Sequence, residues 1–468
     1  MAVAGGQRRV HTVIPDRLSY VALRHRPRDT SKEHYFCVDS QLVYWAFFLD
    51  FGPLNLGQLY RFCEYLNHKL SDPKLEKKHI YYYSSVASDK RANAVFLLSA
   101  WSLLYQGKTP EEAWEPFAGI YPPLPPWHDA SPTVCTYNLT VLDTLKGIAR
   151  AVQAGFFDFD TFPIEEYEHW EQPSNGDLSW IQYGKILAFA GPHNHRSSHD
   201  GYYTLTPEDY IPQFKKWGVK LVIRLNKKYY DEERFIKAGM DHLDLYYLDG
   251  SNPPEHILAT VMDAMERCDG AIAIHCKAGL GRTGTCIACH MMKHYGFTAA
   301  EAIAWLRVCR PGSVIGPQQH FLEDMMPRMV KEGQAMRAAA ADARKALAVE
   351  VGSAPDGGTP SGHSADSAAA GGGASPLPTP TSVAAEHVPS SAGVGRYAAS
   401  PGGASVASDA SQGDHLRASR QRASPTGGAR GTSTVGRSTG TVRSSLTREL
   451  SAGARGGSGG GGGGGQHK

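Results

Sequence analysis

The amino-acid sequence predicts an α/β protein with two related domains in tandem, each a mixed sheet flanked by helices, and a disordered C-terminal tail. Three observations lead to this prediction. The segment AIAIHCKAGLGRTGTCIACHMMKHYG, from Ala271, reads as a strand, a glycine-rich loop and a helix. The segments QGKTPEEAW, from Gln106, and YGFTAAEAIAW, from Tyr295, resemble each other. Beyond residue 345, Gly, Ser, Ala, Thr and Pro dominate, and such a composition buries too little apolar surface to offset the entropy of ordering.

The first segment has the pattern of an anion site. Ala271 to Ile274 is a continuous apolar run, typical of a strand buried on both faces. Two glycines follow, and a helical period resumes at Arg282. A loop at a helix N-terminus can bind an anion, because backbone N–H groups point into it and the helix dipole adds about half a positive charge.

Cys276 begins this loop and is the candidate nucleophile, because a thiol near a helix N-terminus and a cation ionises more readily than a free thiol. Arg282, six residues on, can reach back as a bidentate fork that suits a phosphate. A cysteine at this spacing from an arginine usually has only a structural role. The flanking His275 and the glycines favour a catalytic phosphate-binding loop instead. A Walker A loop is a poor match, because the Gly-Lys-Ser/Thr ending is missing. The other residues that we assign to the phosphate-binding loop are His275, Lys277, Ala278, Gly279, Leu280, Gly281 and Thr283.

Attack on a phosphate ester also needs an acid that protonates the leaving oxygen. Asp249 is the candidate because, in DLYYLDGSNPP, it ends an apolar run and enters a Gly/Pro loop that could close over a substrate. An Asx-turn that caps the following helix explains the local sequence equally well. Asp241 and Asp244 suit the role less, because both fall inside the strand-like segment.

The run HCKAGLGRTG carries the signature of cysteine-dependent protein phosphatases. With MKHYGFTAAEAIAWLRVCRPGSVIGPQQ, FGPLNLGQLYRFC, FDTFPIEEYEHWEQPSNGDLSWI and IRLNKKYYD, it resembles the Cdc-fourteen family of mitotic-exit dual-specificity protein phosphatases over residues 17–329. The resemblance implies that Cys276 is the nucleophile, Arg282 the phosphate-binding arginine and Asp249 the general acid. It also implies two phosphatase-like domains, of which only the second is catalytic.

The similar segments indicate that the first domain is a degenerate copy of the second, with a chance match as the alternative. In an ungapped superposition, Ala87 faces Cys276 and Asn93 faces Arg282, so the first copy would lack the nucleophile and the phosphate fork. Such a domain would serve substrate recognition. The predicted division is a flexible N-terminus (1–14), a degenerate phosphatase-like recognition domain (15–180), an interdomain linker (181–200), the catalytic domain (201–345) and the disordered tail (346–468).

An acidic stretch, EEYEHWE from Glu165, is a candidate substrate groove. The family that this chain resembles prefers phosphoserine followed by proline, with a basic residue a few positions later. Carboxylates beside the cleft would attract that basic residue. A solvated surface is the alternative explanation for such a run. The groove residues that we select are Glu168, Glu171 and Asp177.

In GPQQ, Gln318 or Gln319 is a candidate for orienting the water that attacks a phosphocysteine. Helix capping after Gly316 and Pro317 is the alternative.

No cofactor and no metal is predicted, because the loop and Arg282 supply the positive charge. Cys286 and Cys289 form a CxxC pair inside a helix, which favours packing over zinc. The histidines of GPHNHRSSH lack carboxylates at ligand spacing and are assigned to an interdomain loop.

The composition favours a reducing compartment. Eight scattered cysteines, one of which must stay reduced, favour the cytosol or nucleus. No apolar run approaches the ~20 residues of a membrane span, and a net charge of +2 indicates no nucleic-acid partner. The resemblance implies nucleus and cytoplasm, with association to the centrosome, basal body or spindle.

The tail contains Ser/Thr-Pro dipeptides, at which proline-directed kinases could act and which could also be substrates of the enzyme. Chance pairs are the alternative in a segment this rich in Ser and Pro. The dipeptides begin at Thr359, Ser375, Thr379, Ser400 and Ser424.

The predicted activity is hydrolysis of phosphoserine, phosphothreonine and phosphotyrosine in proteins through a phosphocysteine, reversing proline-directed cell-cycle kinases. Three alternatives stay open: a phosphoinositide phosphatase, a phosphopeptide-binding scaffold with little turnover, and a phosphotyrosine-selective enzyme. Related lipid phosphatases place a second lysine where this chain has Leu280.

Overall fold

The computed structural model describes residues 9–199, 202–352 and 412–423. The first half of the chain, up to residue 170, contains four strands and five α-helices in the described residues. In chain order these are β1 (Val10–Ile14), β2 (Leu18–Ala22), β3 (Glu33–Phe36), α1 (Leu56–Ser71), β4 (His79–Ser84), α2 (Ser88–Gln106), α3 (Pro110–Trp114), α4 (Val141–Gln153) and α5 (Ile164–Trp170).

The second half alternates strands and helices more regularly. Its elements are β5 (Leu178–Gln182), β6 (Ile186–Ala190), β7 (Ser198–His199), β8 (Tyr202–Tyr203), α6 (Pro207–Lys216), β9 (Val219–Arg224), α7 (Glu233–Ile236), β10 (Asp241–Asp244), α8 (Glu255–Arg267), β11 (Ala271–Cys276), α9 (Gly281–Tyr295), α10 (Ala299–Cys309), α11 (Pro317–Gly352) and α12 (Gln412–Ala423).

The chain forms two compact units, one of residues 1–338 with 410–468 and one of residues 339–409. Both domains and α12 belong to the first unit. In the second unit, the described residues are the last part of α11.

Each half builds a mixed sheet, as predicted. The first has the order β1-β2-β4-β3, with β1 antiparallel to β2 and the other pairs parallel. The second has the order β10-β9-β11-β6-β5, in which only β5 is antiparallel. A short hairpin, β7-β8, stands apart from both sheets.

The central strand of the second sheet is β11, and all six of its residues are buried. This confirms the prediction of a strand covered on both faces, and the helix predicted from Arg282 is α9. Because parallel strands end at the same edge of a sheet, the segments that follow β6, β9, β10 and β11 meet there. Cys276, at the end of β11, lies at this edge.

The two similar segments have the same physical structure. A glycine in the left-handed region ends the long helix in each copy: Gly107 (φ 65°) after α2 and Gly296 (φ 67°) after α9. A Thr-x-x-Glu capping box then begins the next helix, at Thr109 in one copy and Thr298 in the other. The structure therefore supports duplication, since both copies share the connection and the sheet that precedes it.

The ungapped register between the copies is wrong around the loop. β4 ends at Ser84, so the end of the strand, and not Ala87, corresponds to Cys276. The loop before the helix is one residue shorter in the first copy, but the helix has 19 residues against 15 in the second. An ungapped superposition that aligns the ends of the two helices therefore misaligns the strands. Six residues after Ser84 stands Lys90 in place of an arginine. The expected absence of a nucleophilic cysteine and a guanidinium fork in the first copy still follows.

The predicted linker (181–200) is wrong in its first half, because the end of β5 and all of β6 belong to the catalytic sheet. β6 pairs with β11 from Ile186 to Ala190, and β5 extends that sheet by one strand. The catalytic domain therefore begins at Leu178, and the boundary drawn at residue 201 falls after two of its five strands.

The predicted flexible N-terminus (1–14) is wrong where it is described. Val10 to Ile14 form β1, which pairs with β2, and residues 1–8 lie outside the described residues. The predicted tail (346–468) lies mostly outside the described residues, and so do the five Ser/Thr-Pro dipeptides. Where it is described, α11 continues to Gly352 and Gln412–Ala423 is helical, contrary to the expectation of disorder.

The two domains join through helices α4 and α10. Gly147 of α4 faces the Glu301 carbonyl so closely that an added Cβ would lie 2.6 Å from that oxygen. Next to this contact, Trp305 Nε1 donates to the Ile181 carbonyl at 2.9 Å. Among the described residues, no helix is both long and apolar enough to span a membrane.

Candidate active site

The loop after β11 is held in one tight conformation. Cys276 is only 3% exposed. Gly279 has φ 67°, and a Cβ there would lie 1.9 Å from the Phe189 carbonyl oxygen, so only glycine fits. In the described residues, the backbone N–H groups of Ala278, Gly279 and Leu280 have no hydrogen-bond acceptor. These donors, together with the N-terminus of α9 at Gly281, suit the binding of an anion.

Arg282 lies under this loop and is 3% exposed. Its Nη1 donates to the carbonyls of Tyr247, at 2.9 Å, and Leu225, at 3.3 Å, which fixes the guanidinium plane. Arg282 Nε and Thr283 Oγ1 are buried and have no partner within residues 9–199, 202–352 and 412–423. Buried polar groups normally have hydrogen-bond partners, so both atoms fit an anion bound beside Cys276.

Asp249 lies in the loop between β10 and α8, at a turn that Gly250 completes with φ 76°. Its Oδ1 is 3.0 Å from Arg282 Nη2, and its side chain is 22% exposed. The structure thus brings the predicted acid, phosphate fork and nucleophile to one edge of the sheet. Asp244 instead forms an ion pair with Arg224, so it serves the structure.

His275 positions the loop from below. It is completely buried, and burial lowers the pKa of its imidazole well below the usual value. Its Nδ1 lies 3.0 Å from the Cys276 carbonyl, which can only accept, so Nδ1 carries the proton. Its Nε2 then accepts from Tyr230 Oη at 2.8 Å. A neutral imidazole with both nitrogens engaged is not free to act as a general base.

Arg310 is a residue of the site that sequence reasoning missed. It is completely buried, and it donates to the carbonyls of Gly279 at 2.7 Å and Ala278 at 2.9 Å. Its Nη1 also binds Asp177 Oδ1 at 2.8 Å. The signal in the sequence is weak, since only an arginine in a Cys-Arg-Pro-Gly turn marks it.

The three predicted groove acids have different surroundings. Asp177 is buried, with φ 53°, and holds Arg310. Glu171 accepts a hydrogen bond from Asn55 at 2.7 Å. Glu168 forms a two-pronged ion pair with Arg61, at 3.1 and 3.0 Å, so much of its charge is already compensated.

The two candidate glutamines lie in different places. Gln318 is next to the catalytic loop: its Oε1 would be 2.9 Å from a Cβ on Gly281, and its Nε2 donates to the Ser251 carbonyl at 3.1 Å. Gln319 instead accepts from Arg307 at 2.8 Å in the interior. The structure therefore places Gln318, and not Gln319, between the phosphate loop and the acid loop.

No group of three or more His, Cys, Asp or Glu in the described residues could hold a metal ion. Cys286 and Cys289 are both buried in α9, and burial raises the pKa of the Cys286 thiol to about 12. In the polar connector, His193 is half-buried, and burial lowers its pKa to about 4, whereas His195 is exposed.

Comparisons with known proteins agree with this geometry. Residues 12–151 match the family described as "Dual specificity protein phosphatase, N-terminal half". Residues 201–296 match "Polymorphic toxin system, DSP-PTPase phosphatase".

Three relatives illustrate the similarity. Dual specificity protein phosphatase CDC14A of Homo sapiens is 52% identical over 323 residues, which is 69% of this chain and 54% of that protein. CDC14B of Mus musculus is 47% identical over 324 residues, 69% of this chain and 67% of that protein. CDC14C of Homo sapiens is 45% identical over 328 residues, 70% of this chain and 73% of that protein. The chain spans about half the length of the CDC14A relatives that it matches.

Proposed function

We propose, because this chain belongs to the CDC14 family of dual specificity protein phosphatases, that it hydrolyses phosphate esters on protein side chains through a phosphocysteine. The observation that carries the proposal is the arrangement at the end of β11. Cys276 begins a loop whose N–H donors have no acceptor among the residues that the structure describes. Arg282 lies under that loop and contacts Asp249 at 3.0 Å.

In the first step, the Cys276 thiolate attacks phosphorus opposite the leaving oxygen. The S–P bond forms while the P–O bond to the substrate side chain breaks, and protonated Asp249 gives its proton to that oxygen. Arg282 Nε and the loop N–H groups bind the other phosphate oxygens. Because Asp249 contacts the same guanidinium that is proposed to bind the phosphate, the acid lies beside the group that it protonates.

In the second step, Asp249, now a carboxylate, takes a proton from a water molecule that attacks the phosphocysteine. Inorganic phosphate leaves and the thiolate is restored. Gln318 is our candidate for orienting that water, because Ile315 N donates to its Oε1 and its Nε2 binds the acid loop.

The proposed substrates are proteins with phosphoserine or phosphothreonine before proline and a basic residue a few positions later, together with phosphotyrosine. Glu171 and Asp177 are the proposed recognition acids. Glu168 suits the role less, because its carboxylate is already paired with Arg61. Asp177 holds Arg310, but its Oδ1 also lies 2.5 Å from Arg420 Nε, so this carboxylate can bind a second guanidinium. Such substrates are products of proline-directed cell-cycle kinases, so the proposed role is their reversal. We further propose action of these kinases on the tail, and a location in nucleus and cytoplasm with association to the centrosome, basal body or spindle.

The surroundings of Leu280 support a protein substrate over a phosphoinositide. Leu280 is completely buried and packs with Phe47 and Ile315 in an apolar cluster. A cation for a second phosphate is thus missing at the position where lipid phosphatases carry it.

The test measures phosphate release by the full chain from three substrates: a phosphoserine-Pro-x-Lys peptide, a phosphotyrosine peptide and a soluble phosphoinositide. We expect the peptides to be hydrolysed and the lipid not. Cys276→Ser should abolish turnover yet retain phosphopeptide binding, and Asp249→Asn should lower kcat by about 10²–10⁴-fold.

Three results would contradict the proposal. Phosphate release by the Cys276→Ser variant would show that Cys276 is not the nucleophile. Preference for the phosphoinositide over the peptides would overturn the proposed substrate class. Tight phosphopeptide binding by the wild type with no release would favour the scaffold.

A further inference from the structure

The helix α12, which we call the tail helix, lies against the proposed catalytic residues. Gly413 N donates to Asp249 Oδ2 at 2.8 Å. This is the second oxygen of a carboxylate whose first oxygen already contacts Arg282. The neighbouring Asp414 forms an ion pair with Lys277 of the phosphate loop.

An apolar side chain anchors the tail helix at the same place. Leu416 is only 3% exposed and belongs to a cluster with two residues of the phosphate loop, Ala278 and Leu280. Phe47, contributed by the first domain, completes that cluster. The mouth of the site is therefore covered by a segment of the same chain.

The basic residues of the tail helix bind the polar rim of the cleft. Arg417 Nη1 lies 2.6 Å from His193 Nε2. Arg420 Nε lies 2.5 Å from Asp177 Oδ1, and its Nη2 donates to the Glu171 carbonyl at 3.4 Å. Asp177 and Glu171 are the acids that we propose for reading a basic residue in the substrate. Arg420 of the same chain binds the carboxylate of Asp177 and the main-chain carbonyl of Glu171.

The fit is close where the helix begins. A Cβ on Gly413 would lie 2.8 Å from Lys277 Cβ and 2.9 Å from Asp249 Oδ2, so only glycine allows this approach. A helix of 12 residues is marginal in water on its own. Its order here thus depends on the contacts with the cleft.

We propose that the tail helix is an intramolecular competitive ligand that substrates must displace before the site can act. The inference rests on the proposed function, because the groups that it covers are those proposed to bind the substrate. The ligand is residues 412–423 of this chain, and its acidic and basic residues meet Lys277 and Asp177, which carry the opposite charges.

Releasing the tail helix from the cleft should lower KM and leave kcat unchanged, because the helix is already displaced in the complex of enzyme and substrate. The apparent affinity of a site that is accessible for only a fraction of the time is reduced by that fraction, so a fall in KM of about tenfold means that the helix is docked about nine-tenths of the time.

Two variants of the full chain test this with the phosphoserine-Pro-x-Lys peptide. Gly413→Ala introduces a better helix former but places a methyl group against Lys277 and Asp249, and Leu416→Asp removes the apolar anchor. The matched control is His415→Ala, since His415 is exposed on the same helix. We expect KM to fall several-fold, up to about tenfold, in the first two variants and to stay constant in the control. Unchanged KM in both, or a lower kcat, would overturn the proposal.

Hydrogen exchange of residues 412–423 in the full-length Cys276→Ser variant gives a readout that needs no turnover. We expect slow exchange without ligand and faster exchange when the phosphopeptide is added. Fast exchange in both states would overturn the docking. If the wild type releases no phosphate at all, the proposed function fails, and the exchange measurement still decides whether the tail helix docks.

Discussion

At the scale of single residues, Arg310 connects the recognition acid to the catalytic loop. It holds the Ala278 and Gly279 carbonyls with two nitrogens and Asp177 with the third. Cys276 and Arg282 could be predicted because both lie in one short motif. Arg310 could not, because its partners are 31 and 133 positions away in the chain and meet it only through packing. The sequence could not decide between Gln318 and Gln319 for the same reason, because only packing places Gln318 beside the loop and Gln319 in the interior.

Replacing Arg310 with lysine should loosen the phosphate loop, because one ammonium group cannot reproduce three fixed directions of donation. We expect kcat/KM for a phosphopeptide to fall by about 10- to 100-fold, as misplacement of catalytic groups commonly causes. Steady-state kinetics measure this, with Arg328→Lys as the control, since Arg328 is partly exposed and pairs with surface acids. A catalytic rate equal to that of the wild type would show that Arg310 does not hold the loop.

At the scale of elements, the sequence predicted the connections α2–α3 and α9–α10 but not the start of the catalytic sheet. The repeated Gly-x-Thr-x-x-Glu pattern fixes both the end of one helix and the start of the next through local backbone geometry. Strand β6 depends instead on pairing with β11, as in Ile186 with Ile272, and β5 depends on pairing with β6. The polar, histidine-rich segment after Ala190 resembles a linker, so the predicted boundary cut through this sheet.

The left-handed conformation of Gly296 leads to a stability prediction. A Cβ there meets nothing within 4 Å, so Gly296→Ala should cost only backbone strain, about 1–2 kcal/mol in the free energy of unfolding. Urea unfolding followed by circular dichroism measures the loss. Gly119→Ala is the matched control, because Gly119 is equally open but has no positive φ. Equal stability of the two variants would refute the assigned strain.

At the scale of the whole molecule, the two domains and the tail helix build one cleft. Asp129 Oδ2 of the first domain accepts from Gly316 N at 2.7 Å, directly before α11 and Gln318. Two tandem domains were predictable from repeated motifs, because each motif folds locally. The docking of residues 412–423 was not, since the composition around them is typical of disorder and only the complementary surface orders them.

Buried histidines make the stability of the whole molecule depend on pH. Burial lowers the pKa of His242 to about 4 and that of His290 to about 3. The unfolded chain protonates these imidazoles near pH 6.5, so below this pH it binds more protons than the folded chain. The free energy of unfolding should therefore fall with pH below 6.5, by up to about 1.4 kcal/mol per pH unit for each histidine, until the folded pKa is reached.

Urea titrations between pH 7 and 5 measure this dependence. The His290→Leu variant should reduce the slope of the unfolding free energy against pH by up to about 1.4 kcal/mol per pH unit, which corresponds to one proton. An identical slope in His290→Leu and wild type would contradict the assigned burial effect.

The position of β6 between β11 and β5 in the catalytic sheet has a consequence for folding during synthesis. The β5–β6 hairpin leaves the ribosome about 80 residues before β11, the strand that covers its open edge. At about 5–20 residues per second, that edge waits roughly 4–16 s for its partner. The first domain, complete by then, can fold during the wait and offer α4 as a surface on which the later helices assemble.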